Sequence, residues 1–238
     1  MNVAIISFFR NSAARGQVQR YFQQLHALRS AAPATMRFRL IAVEGDSADN
    51  TQAELLAYAR GLGLLNEGFD LVSRSHGKRE WGSTEEHERM EALSWVGNGG
   101  LERVRPSDDY VIYVESDLIW RPETMLRTLT MLQKTSNDKP IFDVFGIMPF
   151  AADAFYDIYA FRHLDGTRFG PFAPYSRDFV LDGINEVSSV GSCLVMRAEV
   201  ARNVRIPGAE VLVGFCRIAR EQGYRIWVDA RERIQHPC

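Results

Sequence analysis

The sequence predicts an α/β protein, a mostly parallel central sheet flanked by helices, folded as a single domain over residues 1–238. Three observations predict it. Strand-like and helix-like segments alternate through the first half, which implies parallel pairing with crossover helices on the sheet faces. The most strand-like segment, Tyr110 to Val114, is apolar throughout, as befits a strand buried on both faces, and it runs straight into Glu115-Ser116-Asp117. Finally, no repeat, low-complexity segment or flexible linker interrupts the chain, and 46% of it is hydrophobic, enough for one sizeable core.

In chain order, Val3 to Phe9 reads as a first core strand. The stretch RGQVQRYFQQLHALRSA places Val18, Tyr21, Phe22, Leu25 and Leu28 on one helical face. RFRLIAVEG is a second strand ending at Gly45, and DNTQAELLAYARGLG is a helix stopped by glycine. FDLVSRS is a short strand. STEEHERMEALSWVGN follows as a helix, with Ser83 and Glu86 spaced as a capping box and Met90, Leu93 and Val96 as its buried stripe. After the Tyr110–Val114 strand, Pro122 opens a helix through ETMLRTLTMLQK. From about residue 140 the texture turns aromatic- and glycine-rich, with turn signals in place of periodicity, which predicts an irregular back half shaped for a substrate. The end of the chain, VLVGFCRIAREQGYRIWVDARERIQHP, reads as a helix, a stop at Gly223 and a strand.

With 28 basic and 30 acidic residues the formal charge is −2, so no global field favours a polyanion such as DNA or an anionic membrane. Cys193, Cys216 and Cys238 are odd in number and widely spaced, which fits structural thiols in a reducing compartment and matches no zinc spacing. The N-terminal apolar run is too short to cross a bilayer and lacks a basic leader. The expectation is a cytoplasmic protein without a transmembrane segment; the oligomeric state stays open.

Ligands of an open parallel sheet bind outside the carboxyl ends of its strands, where loops and helix N-termini converge. Three polar clusters fall at such ends: SFFRNS, VEGDSADNT and the Glu115-Ser116-Asp117 triplet. Two carboxylates flanking one small residue offer hard oxygens to Mg²⁺ or Mn²⁺ and leave positions open for diphosphate oxygens. An ion held there neutralises charge on a departing phosphate, which suits group transfer from a nucleotide.

VEGDSADNT and VIYVESDL resemble the ribose-side and D-x-D segments of family-2-like glycosyltransferases of the GT-A (Rossmann-like) fold, with Glu115 in place of the first aspartate. The tail GFCRIAREQGYRIWVDARERIQHP is similar to their closing helix, Gly-Tyr, short strand and histidine. FYDIYAFRHLDGTRFGPFAPY with VSSVGSCLVMRAEV resembles the fungal capsule-associated α-mannosyltransferases, and GFCRIAREQGYRI the yeast mannan-polymerase enzymes. The resemblance implies a nucleotide-sugar-binding half, 1–125, and an acceptor-binding half, 126–238. It implies donor contacts from Ser7, Arg10, Glu44, Arg89 and Glu115, and a metal ion held by Glu115, Asp117 and His236. It also puts Asp157 and Arg162 where donor sugar and acceptor meet, together with Asp165.

The chain departs from the family pattern in two further places. Gly45 replaces an aspartate, and the acidic pair that precedes the closing helix of inverting enzymes is Val211-Leu212, leaving Glu210 as the nearest carboxylate. Inversion needs a general base for the acceptor hydroxyl, whereas front-side displacement lets the leaving phosphate take the proton. The expectation is therefore a metal-dependent hexosyltransferase using Mn²⁺ or Mg²⁺ with retention, GDP-mannose being the favoured donor and UDP-glucose the next. The acceptor is a hydroxyl on a glycan or, less favoured, on a modified DNA base. A sugar-phosphate nucleotidyltransferase is the rival enzyme, opposed by the absence of a glycine-rich phosphate loop after the first strand; a non-catalytic carbohydrate-binding protein is the other alternative.

Overall fold

The computed structural model describes every residue except 67, 83–84, 171–174, 177–180 and 238. The first half alternates as expected: β1 (Asn2–Phe9), α1 (Gln17–Ala31), β2 (Arg37–Glu44), α2 (Thr51–Gly61), β3 (Phe69–Ser73), α3 (His87–Leu101), β4 (Tyr110–Val114) and α4 (Pro122–Leu132). A small hairpin of β5 (Thr135–Ser136) and β6 (Lys139–Pro140) leads to β7 (Val144–Ala151), β8 (Ala154–Tyr156), β9 (Tyr175–Ser176), β10 (Ile184–Val187) and β11 (Cys193–Arg197). The chain closes with α5 (Ala198–Asn203), a 3-10 turn at Gly208–Glu210, α6 (Val211–Glu221) and β12 (Ile226–Gln235).

One sheet runs β10-β12-β7-β11-β4-β1-β2-β3, with β8 and β9 appended to β7. β1 pairs in parallel with β2 and β4, and β2 with β3, as the alternation requires. The back half is more regular than its composition suggested. β7, eight residues and buried along its whole length, pairs in parallel with β12, and β11 fits antiparallel between β7 and β4. Glycine and aromatic residues obscured these strands because both faces are covered and no alternation survives.

Two apolar layers sandwich the sheet. One packs α1, α2 and α4 against it, with Val18, Tyr21, Phe22, Leu25 and Leu28 of α1 all buried as the helical face predicts; each contributes roughly 1.5–3 kcal/mol of transfer free energy. The other holds α3, α5 and α6. There α3 departs from the expected stripe: Met90 is buried, Val96 is only partly so, and Leu93 is 39% exposed. Small residues face the sheet instead, because the helix lies too close for side chains. A Cβ at Gly100 would sit 2.3 Å from Ile6 Cγ2, and one at Gly97 2.5 Å from Ile206 Cδ1. The capping box expected at Ser83 lies outside the described residues, and α3 itself begins at His87. Cys193 and Cys216 are buried free thiols, and Cys238 is outside the described residues. Among the described residues no helix is long and apolar enough to cross a membrane.

Candidate active site

A cavity of about 390 Å³ opens at the carboxyl ends of β1 and β4. β4 carries Glu115, Ser116 and Asp117 to its wall, the segment after β1 brings Arg10 and Arg15, and the start of α3 brings Arg89. From the back half come Tyr156, Asp157, Tyr159 and Ser192. The antiparallel register of β11 on β4, Cys193 opposite Val114, sets Ser192 beside Glu115: the Glu115 backbone N–H donates to the Ser192 carbonyl at 3.1 Å. The Ser192 hydroxyl then donates to Asp157 Oδ2 at 2.6 Å. Ser192 and Asp157 both hold left-handed backbone conformations, φ 56° and 70°, strain typical of sites that over-determine geometry.

Three carboxylates in one cleft repel one another. Burial pushes the Glu115 carboxyl well above the ordinary glutamate range, the neighbouring Asp117 and Asp157 push it further, and the Arg89 guanidinium opposes them. Burial likewise raises Asp157 to about 6, against the hydrogen bond from Ser192 and the charge of Arg89. The His236 ring stacks on Tyr156 with centroids 3.7 Å apart, and its Nε2 lies 3.9 Å from Asp117 Oδ2. Burial lowers the His236 pKa, with Asp117 pulling the other way. Asp117 Oδ1 and His236 Nδ1 are buried without a hydrogen-bond partner. A carboxylate with one oxygen left unsatisfied, and an imidazole nitrogen 3.9 Å from its other oxygen, suit a divalent cation whose remaining ligands come from a substrate. Among the described residues no group of three or more His, Cys, Asp or Glu side chains is arranged to hold a metal ion, so Glu115, Asp117 and His236 do not form a three-ligand set by themselves.

Of the residues singled out by sequence, Arg10, Arg89, Glu115, Asp117 and Asp157 line the cavity together, with His236 bordering it through Asp117 and Tyr156. Five others lie elsewhere. Ser7 is fully buried, its hydroxyl 2.6 Å from both the Tyr21 hydroxyl and the Val114 carbonyl, where it ties β1 to β4. Glu44 ends β2 with 7% exposure, outside the cavity lining. The segment after β3 folds across that strand end: Arg10 donates to the Lys78 and Arg79 carbonyls at 2.6 and 3.1 Å, and Asp46 accepts from the His76 and Gly77 backbone. The crossing also explains Gly45, since a Cβ there would come within 2.1 Å of the Arg74 carbonyl oxygen. Arg162 lies outside the lining, its side chain 3.5 Å from the Gly166 carbonyl. Glu210 is exposed and bonded twice to Arg217 at 3.1 Å. Asp165 accepts from Thr167 in an exposed turn.

Sequence reading missed Ser192, Arg15 and the pair Glu80 and Glu85. Glu80 accepts from Asn11 at 2.9 Å and pairs with Arg15, and Glu85 pairs with Arg168. Ser192 carried no signal, because its role depends on strand register; Arg15 stood in the polar loop after β1 and was within reach of the strand-end argument.

No protein-family model matches the sequence, and no curated protein sequence matches it. Solved structures do. A mycobacterial protein is similar at a TM-score of 0.56 and 13% identity, over 99% of this chain and 67% of its own. A mannosyltransferase from Pyrobaculum calidifontis, solved with GDP-Man and Mn²⁺, is similar at 0.55 and 13%, over 98% of this chain. The present chain spans 56% of that protein's length. A nucleotidyl transferase from Methanothermobacter is similar at 0.50 and 12%, over 97% of this chain and 88% of its own. The architecture is that of the GT-A fold, the class to which nucleotide-sugar transferases belong.

Proposed function

We propose that the protein is a metal-dependent glycosyltransferase that moves a hexose from a nucleoside-diphosphate sugar to a hydroxyl acceptor. The observation that carries this reading is Asp117, with Oδ1 unsatisfied and Oδ2 3.9 Å from His236 Nε2, beside Glu115 in a cleft also lined by Arg10, Arg15 and Arg89. Asp117 and His236 would hold Mn²⁺ or Mg²⁺, which supplies neutralisation of the charge on a diphosphate leaving group. Arg89 and Arg15 would bind phosphate oxygens; Arg15 would exchange Glu80 for them. Glu115, kept easy to protonate by burial and then by its acidic neighbours, would hydrogen-bond to ribose or to water. Asp157, fixed by Ser192, would accept a hydrogen bond from a sugar or acceptor hydroxyl.

GDP-mannose is the donor favoured by the sequence resemblance and by the ligand in the Pyrobaculum structure, with UDP-glucose next. Retention is part of the reading: positions 211 and 212 carry no carboxylate and Glu210 is drawn to Arg217, so the departing phosphate is the expected proton acceptor. The acceptor-binding role of residues 126–238, which supply Asp157 and Ser192, belongs to the same proposal. Release of nucleoside diphosphate across a set of nucleotide sugars with Mn²⁺ tests it, and proton NMR of the product's anomeric centre tests retention. The Methanothermobacter likeness favours a second reading, nucleotidyl transfer; pyrophosphate released from a nucleoside triphosphate and a sugar phosphate would select it.

A further inference from the structure

The cavity joins charged groups to a set of apolar side chains. Besides Glu115, Asp117, Asp157 and the arginines, the lining includes Met90 and Leu93 of α3, Ile206, and Val211 and Leu212 at the start of α6, an apolar wall built where α3 packs on α6 and the turn before it. None of these five side chains carries a charge or a strong hydrogen-bonding group. Leu93 stays 39% exposed within this wall, so apolar surface is held open where a packed core would have covered it. Val211 sits there at φ 43° and ψ −132°, a costly conformation for a β-branched residue, while the polar side chain just before it, Glu210, turns out to Arg217. A hexose pressed on this wall would bury hydroxyls without partners, which costs free energy, whereas an apolar body gains by leaving water. The charged parts of a nucleotide sugar belong with the arginines and carboxylates, which leaves the apolar wall to the second substrate.

We propose that the acceptor is an amphipathic alcohol. Its hydroxyl faces Asp157, and an apolar alkyl or aromatic body lies along Met90, Leu93, Ile206, Val211 and Leu212. This inference rests on the glycosyltransferase reading and names its acceptor class. In the reaction the acceptor oxygen bonds to the anomeric carbon as the bond from that carbon to the phosphate oxygen breaks. The electron pair leaves with the nucleoside diphosphate, and the hydroxyl proton passes to the departing phosphate oxygen, so no further reactant is required.

Calorimetric titration of the intact protein with methyl, n-hexyl and benzyl β-glucosides tests the proposal, with Mn²⁺ and saturating GDP or, separately, UDP. Hexyl or benzyl glucoside is expected to bind at least about tenfold tighter than methyl glucoside. Hexyl over benzyl identifies an alkyl alcohol, and the reverse an aromatic one. Leu93→Asn and Leu212→Asn should each shrink the ratio severalfold; if Leu212→Asn fails to fold, the more exposed Leu93→Asn decides. Equal binding of all three glucosides overturns the proposal, as does a preference that survives the folded variants. Binding of the hexyl or benzyl compound that is tighter in a nucleotide-free titration than with GDP and UDP present also overturns it, since the wall would then hold the nucleobase. Failure of the glycosyltransferase reading is visible separately, as no nucleoside diphosphate released with any sugar donor, because the binding ratio is measured without turnover.

Discussion

The two ends of the central sheet use the same residue types to opposite effect. At the amino ends of the strands, Arg39 is 8% exposed and donates to Asp108 at 3.1 and 2.6 Å, to Asp70 at 2.5 Å and to the Arg103 carbonyl at 2.7 Å. Arg105 joins through Asp70 at 3.0 Å, and its backbone N–H caps Asp108 at 2.7 Å. Asp70 and Asp108 each face a cation there. At the carboxyl ends, Glu115 faces Asp117 and Asp157, and buried polar atoms stay without partners. Charges that are paired with full hydrogen bonding act as a clamp; charges left in conflict mark where a ligand completes the balance.

If that contrast holds, breaking the clamp costs stability and breaking the cleft costs activity. The largest effect is expected for Arg39→Met, which strands a buried Asp108. It should lose about 3–5 kcal/mol, read by urea unfolding, or roughly 6–20 °C in melting temperature. Next comes Asp117→Asn, which should lower nucleoside-diphosphate release roughly 10²–10³-fold with the melting temperature unchanged. Undiminished turnover would remove Asp117 from the metal role.

Glu115→Gln should slow transfer yet raise stability by about 0.5–2 kcal/mol at neutral pH, since it removes a repelled charge. The folded carboxyl titrates above its ordinary value of 4.5, so wild type carries a penalty at higher pH that disappears as pH falls below that value. The gain of the variant should vanish there too, in melts followed from pH 8 to pH 4. The smallest effect, and of opposite sign, is expected for Asp46→Asn. Burial alone would raise Asp46, but the His76 and Gly77 backbone N–H groups and the charges of His76 and Arg10 hold it below its ordinary 3.8. Its contribution is present above that value and lost as pH falls through the lower folded one. The variant should be slightly less stable than wild type at pH 7 and converge with it in strong acid; identical melts at pH 7 would remove Asp46 as an anchor of the segment after β3.

Much of the first half was legible because its signals are local. The α1 face, the Pro122 start of α4 and the run of Tyr110–Val114 into Glu115 each depend on neighbours a few residues away. The α3 stripe was misread because a bulky apolar face was expected, where close approach to the sheet demanded glycine at 97 and 100. Glu44 resembled a donor contact in sequence, but the segment that folds over its strand end leaves it outside the cavity. Asp157 was singled out, while its anchor Ser192 was not, since 35 residues separate them.

By itself the sequence determined the order of strands and helices through the first half, the helix and strand that close the chain, and the acidic end of β4, because hydrophobic period and turn chemistry are written in adjacent residues. Only the tertiary structure decided which charges meet. The antiparallel insertion of β11 beside β4 brings Ser192 and Asp157 to Glu115, and the close of the chain returns His236 to Asp117. Such encounters follow from strand register and packing distance, quantities that no short stretch of chain contains.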